Sequence, residues 1–224
     1  NCIEGQYQDQ DDQSSCKECA TGKYNEQTSQ TSESVACKPC ANGQYQNQNK
    51  QSGCKSNCAA GSSMNIAKTS CSACATGQYQ NQNQQTGCKS NCLAGFFIDV
   101  AKTSCSVCAT GHYQDQANQA ACKSNCLAGS SINNAKSSCA ACELGQYQDQ
   151  ANQIGCKSNC PAGSSIDTAK TSCSACANGQ YQDQTNQLGC KSDCASGFFI
   201  NTTRTTCSVC EDGQYQALPD ETSC

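Results

Sequence analysis

Tryptophan is absent from this chain, histidine and methionine occur once each, and phenylalanine appears only four times. Leu, Ile, Val, Phe and Met together number 21 of 224 residues. That is too little apolar surface to offset the ordering entropy of so long a domain around one core. With a single histidine, His112, the chain holds no repeated acid–base pair, and no nucleophile stands in a pattern with a base. It is therefore read as a non-enzyme, with no cofactor and no metal implied. No apolar run approaches the length of a membrane span, so no direct span is expected in this segment. Charged residues make up 14% and the net charge is −4, without the clustered Lys and Arg that nucleic acid demands. Apolar content this poor ordinarily reads as disorder. Cysteine overrides that reading.

The 26 cysteines are far above the level that marks a disulfide scaffold. An even number at regular spacing points to an oxidising, extracellular or cell-surface location. From Cys40 onward they keep a strict 34-residue period. Cys40, Cys74, Cys108, Cys142, Cys176 and Cys210 form one series, and Cys58, Cys92, Cys126, Cys160 and Cys194 the other. Such a period is the signature of small units stacked end to end. Pairing each cysteine with the next uses all of them. It joins Cys2–Cys16, Cys19–Cys37, Cys40–Cys54, Cys58–Cys71, Cys74–Cys88, Cys92–Cys105 and Cys108–Cys122. Then follow Cys126–Cys139, Cys142–Cys156, Cys160–Cys173, Cys176–Cys190, Cys194–Cys207 and Cys210–Cys224. The alternative is an interlocked pairing, as in Cys40–Cys58 with Cys54–Cys71. Connectivity does not follow from sequence alone. Consecutive pairing is the expectation, because interlocked groups of four leave two of the 26 cysteines over. The chain lacks an initiator Met and both ends fall at cysteines, which reads as an excised part of a longer array.

Two loop types alternate. The tyrosine loop runs Cys-Ala-Thr-Gly-Gln-Tyr into a Gln/Asn-rich stretch, as from Cys74 to Cys88, and all eight tyrosines stand five residues after a cysteine. The isoleucine loop, as from Cys92 to Cys105, places Met64, Ile98, Ile132, Ile166 or Ile200 six residues after its first cysteine. Of 17 glycines, 13 lie three residues after a loop's first cysteine, a place that asks for a turn with positive φ or a close chain approach. The alternation in Gly-Gln-Tyr-Gln-Asp-Gln predicts short strands, and Asn, Asp and Ala-Lys segments supply turns. Residues 1–39 are set apart as divergent N-terminal loops, because two tyrosine loops come in succession there and the second is lengthened between Cys19 and Cys37. Residues 40–224 form the regular array.

Each candidate chemistry has a bland counterpart. Cys16-Lys-Glu-Cys19 and Cys37-Lys-Pro-Cys40 match a zinc-ribbon spacing. The same short spacings recur elsewhere as joints between loops, so structural disulfides are preferred. Redox catalysis would need one exposed Cys-x-x-Cys in an electropositive setting, whereas Cys71-Ser-Ala-Cys74 is one joint among many. The acidic stretch Asp9-Gln-Asp11-Asp12 lacks the spaced ligands and terminal Glu of a calcium loop. Asn201-Thr-Thr is an acceptor sequon for N-glycosylation, and the Ser/Thr-rich turns suit O-linked glycans. One departure from monotony is apolar. Phe96-Phe97 and Phe198-Phe199 replace the Ser-Ser pairs of the other isoleucine loops, and Val107 and Val209 replace Ala73, Ala141 and Ala175. These residues are either local packing or a lateral assembly contact recurring every three repeats.

The string Cys-x-x-Gly-x-Tyr…Cys-x-x-Cys, as in Cys74, Gly77, Tyr79 and Cys88, resembles the ephrin-receptor-like cysteine-rich repeat. That family is similar to the first module of tumour-necrosis-factor-receptor ectodomains. The resemblance covers nearly the whole chain. It implies a rod of disulfide-closed loops with the aromatic residue resting on a bridge, so that Cys74 pairs with Cys88 and Tyr79 covers that bond. Ser63, Ser131 and Ser165 depart from it by replacing the aromatic residue in isoleucine loops. The near-identical Gln/Asn-rich repeats look more like protist surface or matrix proteins than receptors. The expected fold is therefore small disulfide-rich repeats in an elongated rod or solenoid of short β-ribbons and loops, with little helix. The expected role is a self-associating, glycosylated segment of an extracellular filament, cell-surface appendage or matrix fibre. The alternative is a receptor-type or surface-antigen ectodomain that binds a protein ligand.

Overall fold

The computed structural model describes residues 1–224. Each cysteine is bonded to the next in sequence, from Cys2–Cys16 to Cys210–Cys224, and none is free. Loop spans run from 13 to 18 residues, and closing one of about 14 residues removes about 3 kcal/mol of chain entropy from the unfolded state. The zinc-ribbon spacing is thus occupied by three separate bridges, Cys2–Cys16, Cys19–Cys37 and Cys40–Cys54.

Secondary structure consists of seven two-stranded antiparallel ribbons and one turn of helix, Glu33–Ala36, in the lengthened loop. Residues 1–39 hold the two shortest ribbons, Gln6–Tyr7 with Lys17–Glu18 and Lys23–Tyr24 with Lys38–Pro39. The five isoleucine loops each carry a three-residue ribbon, such as Ser62–Met64 with Cys71–Ala73. Five tyrosine loops, those opening at Cys40 through Cys176, reduce to a single bridge, as between Tyr79 and Lys89, and the last, from Cys210, has none. The strand expected over Gly-Gln-Tyr-Gln-Asp-Gln forms at Gln6–Tyr7 and shrinks to one bridge where the same string recurs around Tyr147 and Tyr181. The Gln that follows the tyrosine turns inward and bonds the backbone of its own loop. Gln46, Gln80, Gln148 and Gln182 donate from Nε2 to the carbonyls of Gly53, Gly87, Gly155 and Gly189, just before each loop's second cysteine. Their Oε1 atoms accept from the backbone two residues on, as from Gln48 to Gln46. These side chains are buried, and no buried polar side-chain atom lacks a partner.

Contacts gather the chain into two compact units, Asn1–Val107 with Gln116–Ala121, and Cys108–Asp115 with Cys122–Cys224. Each has no central core, only small clusters around single bridges. The same two-bond rule ties a tyrosine loop to the loop before it in both. First, the glycine N–H of the earlier loop donates to the carbonyl of the sixth residue after the later loop's first cysteine. In the first unit these bonds are Gly5 to Asn25, Gly22 to Gln46 and Gly61 to Gln80, and in the second Gly129 to Gln148, Gly163 to Gln182 and Gly197 to Gln216. Second, a non-glycine residue held at positive φ donates its N–H back to the earlier loop's first cysteine carbonyl. Ser29 to Cys2, Lys50 to Cys19, Gln84 to Cys58 and Asn118 to Cys92 do so in the first unit, and Asn152 to Cys126, Asn186 to Cys160 and Asp220 to Cys194 in the second.

Candidate interaction surface

In five tyrosine loops the ring five places after the first cysteine leans forward onto the next loop. Tyr7 packs with Cys19 and Cys37, Tyr45 with Cys58 and Cys71, and Tyr113 with Cys126 and Cys139. Tyr147 does the same with Cys160 and Cys173, and Tyr79 shares a recess with Cys105. The tyrosine therefore covers the following bridge. This corrects the placement of Tyr79 over Cys74–Cys88, its own bond. The loop's tight glycine turn and the two-bond joint deliver the ring to its neighbour. Ser63, Ser131 and Ser165 occupy the equivalent place in isoleucine loops, with hydroxyls 3.2, 3.1 and 3.1 Å from the sulfurs of Cys88, Cys156 and Cys190 in the next loop.

A polar frame holds each tyrosine. The hydroxyls of Tyr45, Tyr113 and Tyr147 donate to Asn57, Asn125 and Asn159 at 3.0, 2.9 and 3.0 Å. Tyr181 donates to Asp193 instead, and that carboxylate bond, with burial adding to it, pushes the phenol up to about 12. The ammoniums of Lys123, Lys157 and Lys191 lie 5.9, 5.8 and 5.8 Å from the ring centres of Tyr113, Tyr147 and Tyr181. The same ammoniums bond Asp115, Asp149 and Asp183, which holds those carboxyls below their usual range. These pairs are exposed and each adds little stability.

Phe96 and Val107 are cross-strand partners, as are Phe198 and Val209, and the other ribbons pair Ser62 with Ala73, Ser130 with Ala141 and Ser164 with Ala175. The linked changes seen in sequence are therefore single contacts across a ribbon. Phe96 and Phe198 keep 38% and 40% of their surface exposed, and Val107 and Val209 keep 53% and 65%, so each pair forms an open apolar step. Phe97 and Phe199 are half-buried on the strand face that the serines hold elsewhere. In the first unit Phe96 borders the recess of Tyr79, Asn91, Leu93 and Cys105.

Asn201 is half-buried in the turn after its ribbon, with Oδ1 accepting from Thr205 N–H and Nδ2 donating to Thr205 Oγ1. The acidic stretch is split. Asp9 pairs with Lys17 at 2.7 Å, while Asp11 and Asp12 are exposed. His112 rests beside the carbonyl of Thr110. Sequence reasoning missed the inward glutamines and the positive-φ residues. The first left a signal, since Gln or Asn recurs six places after every tyrosine-loop cysteine. The second did not, because Asp, Ser, Lys, Gln, Asn and Arg all fill those places. No helix of the chain is long and apolar enough to cross a membrane. A scan against protein-family models gives no match to this chain, and neither does a search of curated proteins.

Proposed function

We propose that the chain is a structural repeat segment of an extracellular filament, cell-surface appendage or matrix fibre, in the manner of ephrin-receptor-like cysteine-rich repeats. The observation that carries this reading is the joint. The same pair of backbone bonds recurs where a tyrosine loop follows another loop, and isoleucine loops are joined by a second repeated bond, as from Gln80 N–H to Lys102 O, so the stack extends by addition of like units without needing a core. Bridges with no free thiol suit a permanently oxidising setting. The sequon fits the geometry of Asn201. Its Nδ2 carries two hydrogens, one goes to Thr205, and the glycan replaces the other. Immunogold labelling of the source cells with antibody to the purified protein tests the proposal. Label along extracellular filaments or matrix is the expected result, and label confined to the cell interior overturns it.

A second reading, a receptor-type or surface-antigen ectodomain, draws on the two Phe–Val steps as a place for a protein ligand. It requires that a stoichiometric partner be recovered with the protein from cell surfaces, and that Phe96→Ser with Phe198→Ser release it.

A further inference from the structure

The two Phe–Val steps sit in surroundings of opposite charge. Residues 40–107, which hold the Phe96–Val107 step, carry five lysines and a single carboxylate, Asp99. None of those lysines has a carboxylate partner. Lys55 and Lys89 bond the amide oxygens of Asn47 and Asn81 at 2.7 and 2.6 Å, Lys68 and Lys102 donate to the carbonyls of Cys40 and Cys74, and Lys50 is exposed. Asp99 accepts from Thr103 and Ser104 of its own turn. The Lys89 ammonium lies 5.9 Å from the centre of the Tyr79 ring, and that ring lines, with Phe96 and the exposed Leu93, the recess beside the step. Residues 193–224, which hold the Phe198–Val209 step, reverse the balance with five carboxylates and one arginine, Arg204. Asp193 stands where the first step has Asn91, and the exposed Glu211 and Asp212 follow Val209 where Ala109 and Thr110 follow Val107. Lys191, the counterpart of Lys89, is neutralised by Asp183 at 2.7 Å. Phe198 is 40% exposed and Phe96, with further loops on both sides of it, 38%, so the openness belongs to the ribbon itself.

We propose that the Phe96–Val107 step of one molecule packs against the Phe198–Val209 step of a second copy, so that copies join through unlike steps. The two apolar surfaces cover each other, and the unpaired lysines around the first step meet the carboxylates around the second. Charge specifies the occupant. Two Phe96 steps would bring lysines against lysines, and two Phe198 steps would bring carboxylates against carboxylates, and like charges across an interface cost affinity. Only the unlike pairing unites apolar cover with attraction. A molecule engaged at one step still offers the other, so the contact is heterologous and stays open to further addition.

This deepens the fibre reading and rests on it for its biological use. Sedimentation velocity of the full oxidised chain at low and high salt tests it, with two variants that put the Ser–Ala pair of the other ribbons at one step. Phe96→Ser with Val107→Ala removes the first step, and Phe198→Ser with Val209→Ala removes the second. The native protein should gain average mass with concentration, with a dissociation constant on the order of 0.1–1 mM for so small a contact, and should associate less at high salt. Each variant alone should stay monomeric with its bridges formed. An equimolar mixture of the two should form pairs and stop there, because one keeps the cationic step and the other the acidic one. Lys89→Glu should weaken native association about two- to five-fold at low salt and change it little at high salt. A native protein that stays monomeric at every concentration, a single-step variant that associates as well as native, a mixture that stays monomeric, or association strengthened by salt overturns the proposal. Capture of a different protein through these steps by a chain that never self-associates would overturn it in favour of the receptor-type reading. Filaments labelled in place while the native chain stays monomeric would remove the docking and leave the fibre reading. Docking in solution without any labelled filament or matrix would do the reverse.

Discussion

Gly129 and Gly155 both hold positive φ, at 83° and 74°, but only the first is pressed from outside. A Cβ at Gly129 would stand 2.4 Å from the Ala169 carbonyl oxygen of a later loop, while one at Gly155 would meet nothing within 4 Å. Gly155→Ala should cost about 1–2 kcal/mol, the strain of a left-handed residue alone. Gly129→Ala should cost clearly more, because a backbone must move as well. Urea unfolding of both variants checks the difference, and equal losses would mean that the close approach does not exist. The turns offer a pH test. Asp99 accepts from Thr103 Oγ1 at 2.6 Å and from the N–H groups of Thr103 and Ser104, and the hydroxyl bond first among these holds its carboxyl below the usual range. Asp167 repeats the arrangement with Thr171 and Ser172. A carboxyl depressed on folding stabilises fully above its unfolded pKa of about 3.9, and that stability is lost as pH falls through the lower folded value. Asn65, Asn133 and Asn201 build the same turn without a charge. The double variant Asp99→Asn, Asp167→Asn should match native stability at neutral pH and lose less of it in acid. Identical acid unfolding curves would exclude these two groups as the source.

Each ribbon of the second unit with a Ser-Ser pair is followed by a large apolar residue in the next loop. The backbone of Ile132 bridges Ile154 and that of Ile166 bridges Leu188, with both of the later side chains partly exposed. After the Phe96–Phe97 ribbon that place belongs to Ala120, next to Gln119, whose carbonyl accepts from Ile98 N–H at 2.8 Å. The equivalent places at Thr86 and Thr222 are intermediate in size. Converting the Phe ribbon with Phe96→Ser, Phe97→Ser and Val107→Ala reproduces a ribbon already present elsewhere. All bridges should form, at a cost of about 1 kcal/mol. Adding Ala120→Ile should recover part of that loss in the Ser background and none in the Phe background. A double-mutant cycle read by thermal unfolding measures the coupling, and zero coupling would leave the correlation without a packing cause. Loop boundaries, glycine turns and the Phe–Val linkage were legible at this scale because cysteine spacing registers every position against its equivalents. The strands were not. Alternation in Gln-Tyr-Gln-Asp-Gln has the period of a strand, but it does not show that the amide after the tyrosine turns inward to its own loop, as Gln80 does, or that most copies pair at one residue only. The forward lean of Tyr79 was hidden for a related reason, since spacing locates a ring within its loop and says nothing of which neighbour it reaches.

At the scale of the molecule, stability is a sum over bridges and joints, because each cluster holds one bridge, one ring and one aliphatic side chain. Removing a bridge should then act on its neighbours and stop there. Cys160–Cys173 is the bond on which Tyr147 rests, with Ile166 beside it, well inside the second unit. Replacing both cysteines by serine opens a loop of 13-residue span, which costs about 3 kcal/mol in the chain-entropy account. Tyr147 loses its platform, and Gly163 and Cys160 lose the geometry that bonds them to Gln182 and Asn186. Hydrogen exchange should therefore quicken between residues 142 and 190, while the first unit, Asn1–Val107 with Gln116–Ala121, keeps its native protection. A protein built around one cooperative core would behave differently, and loss of protection along the whole chain would disprove nearest-neighbour stability. The same variant separates bridge from joint. If residues 176 to 190 stay protected while 160 to 173 open, the Cys176–Cys190 loop is held by its own bond rather than by the loop before it. If both open together, the backbone bonds at the joint carry a share of the order comparable with the disulfide's.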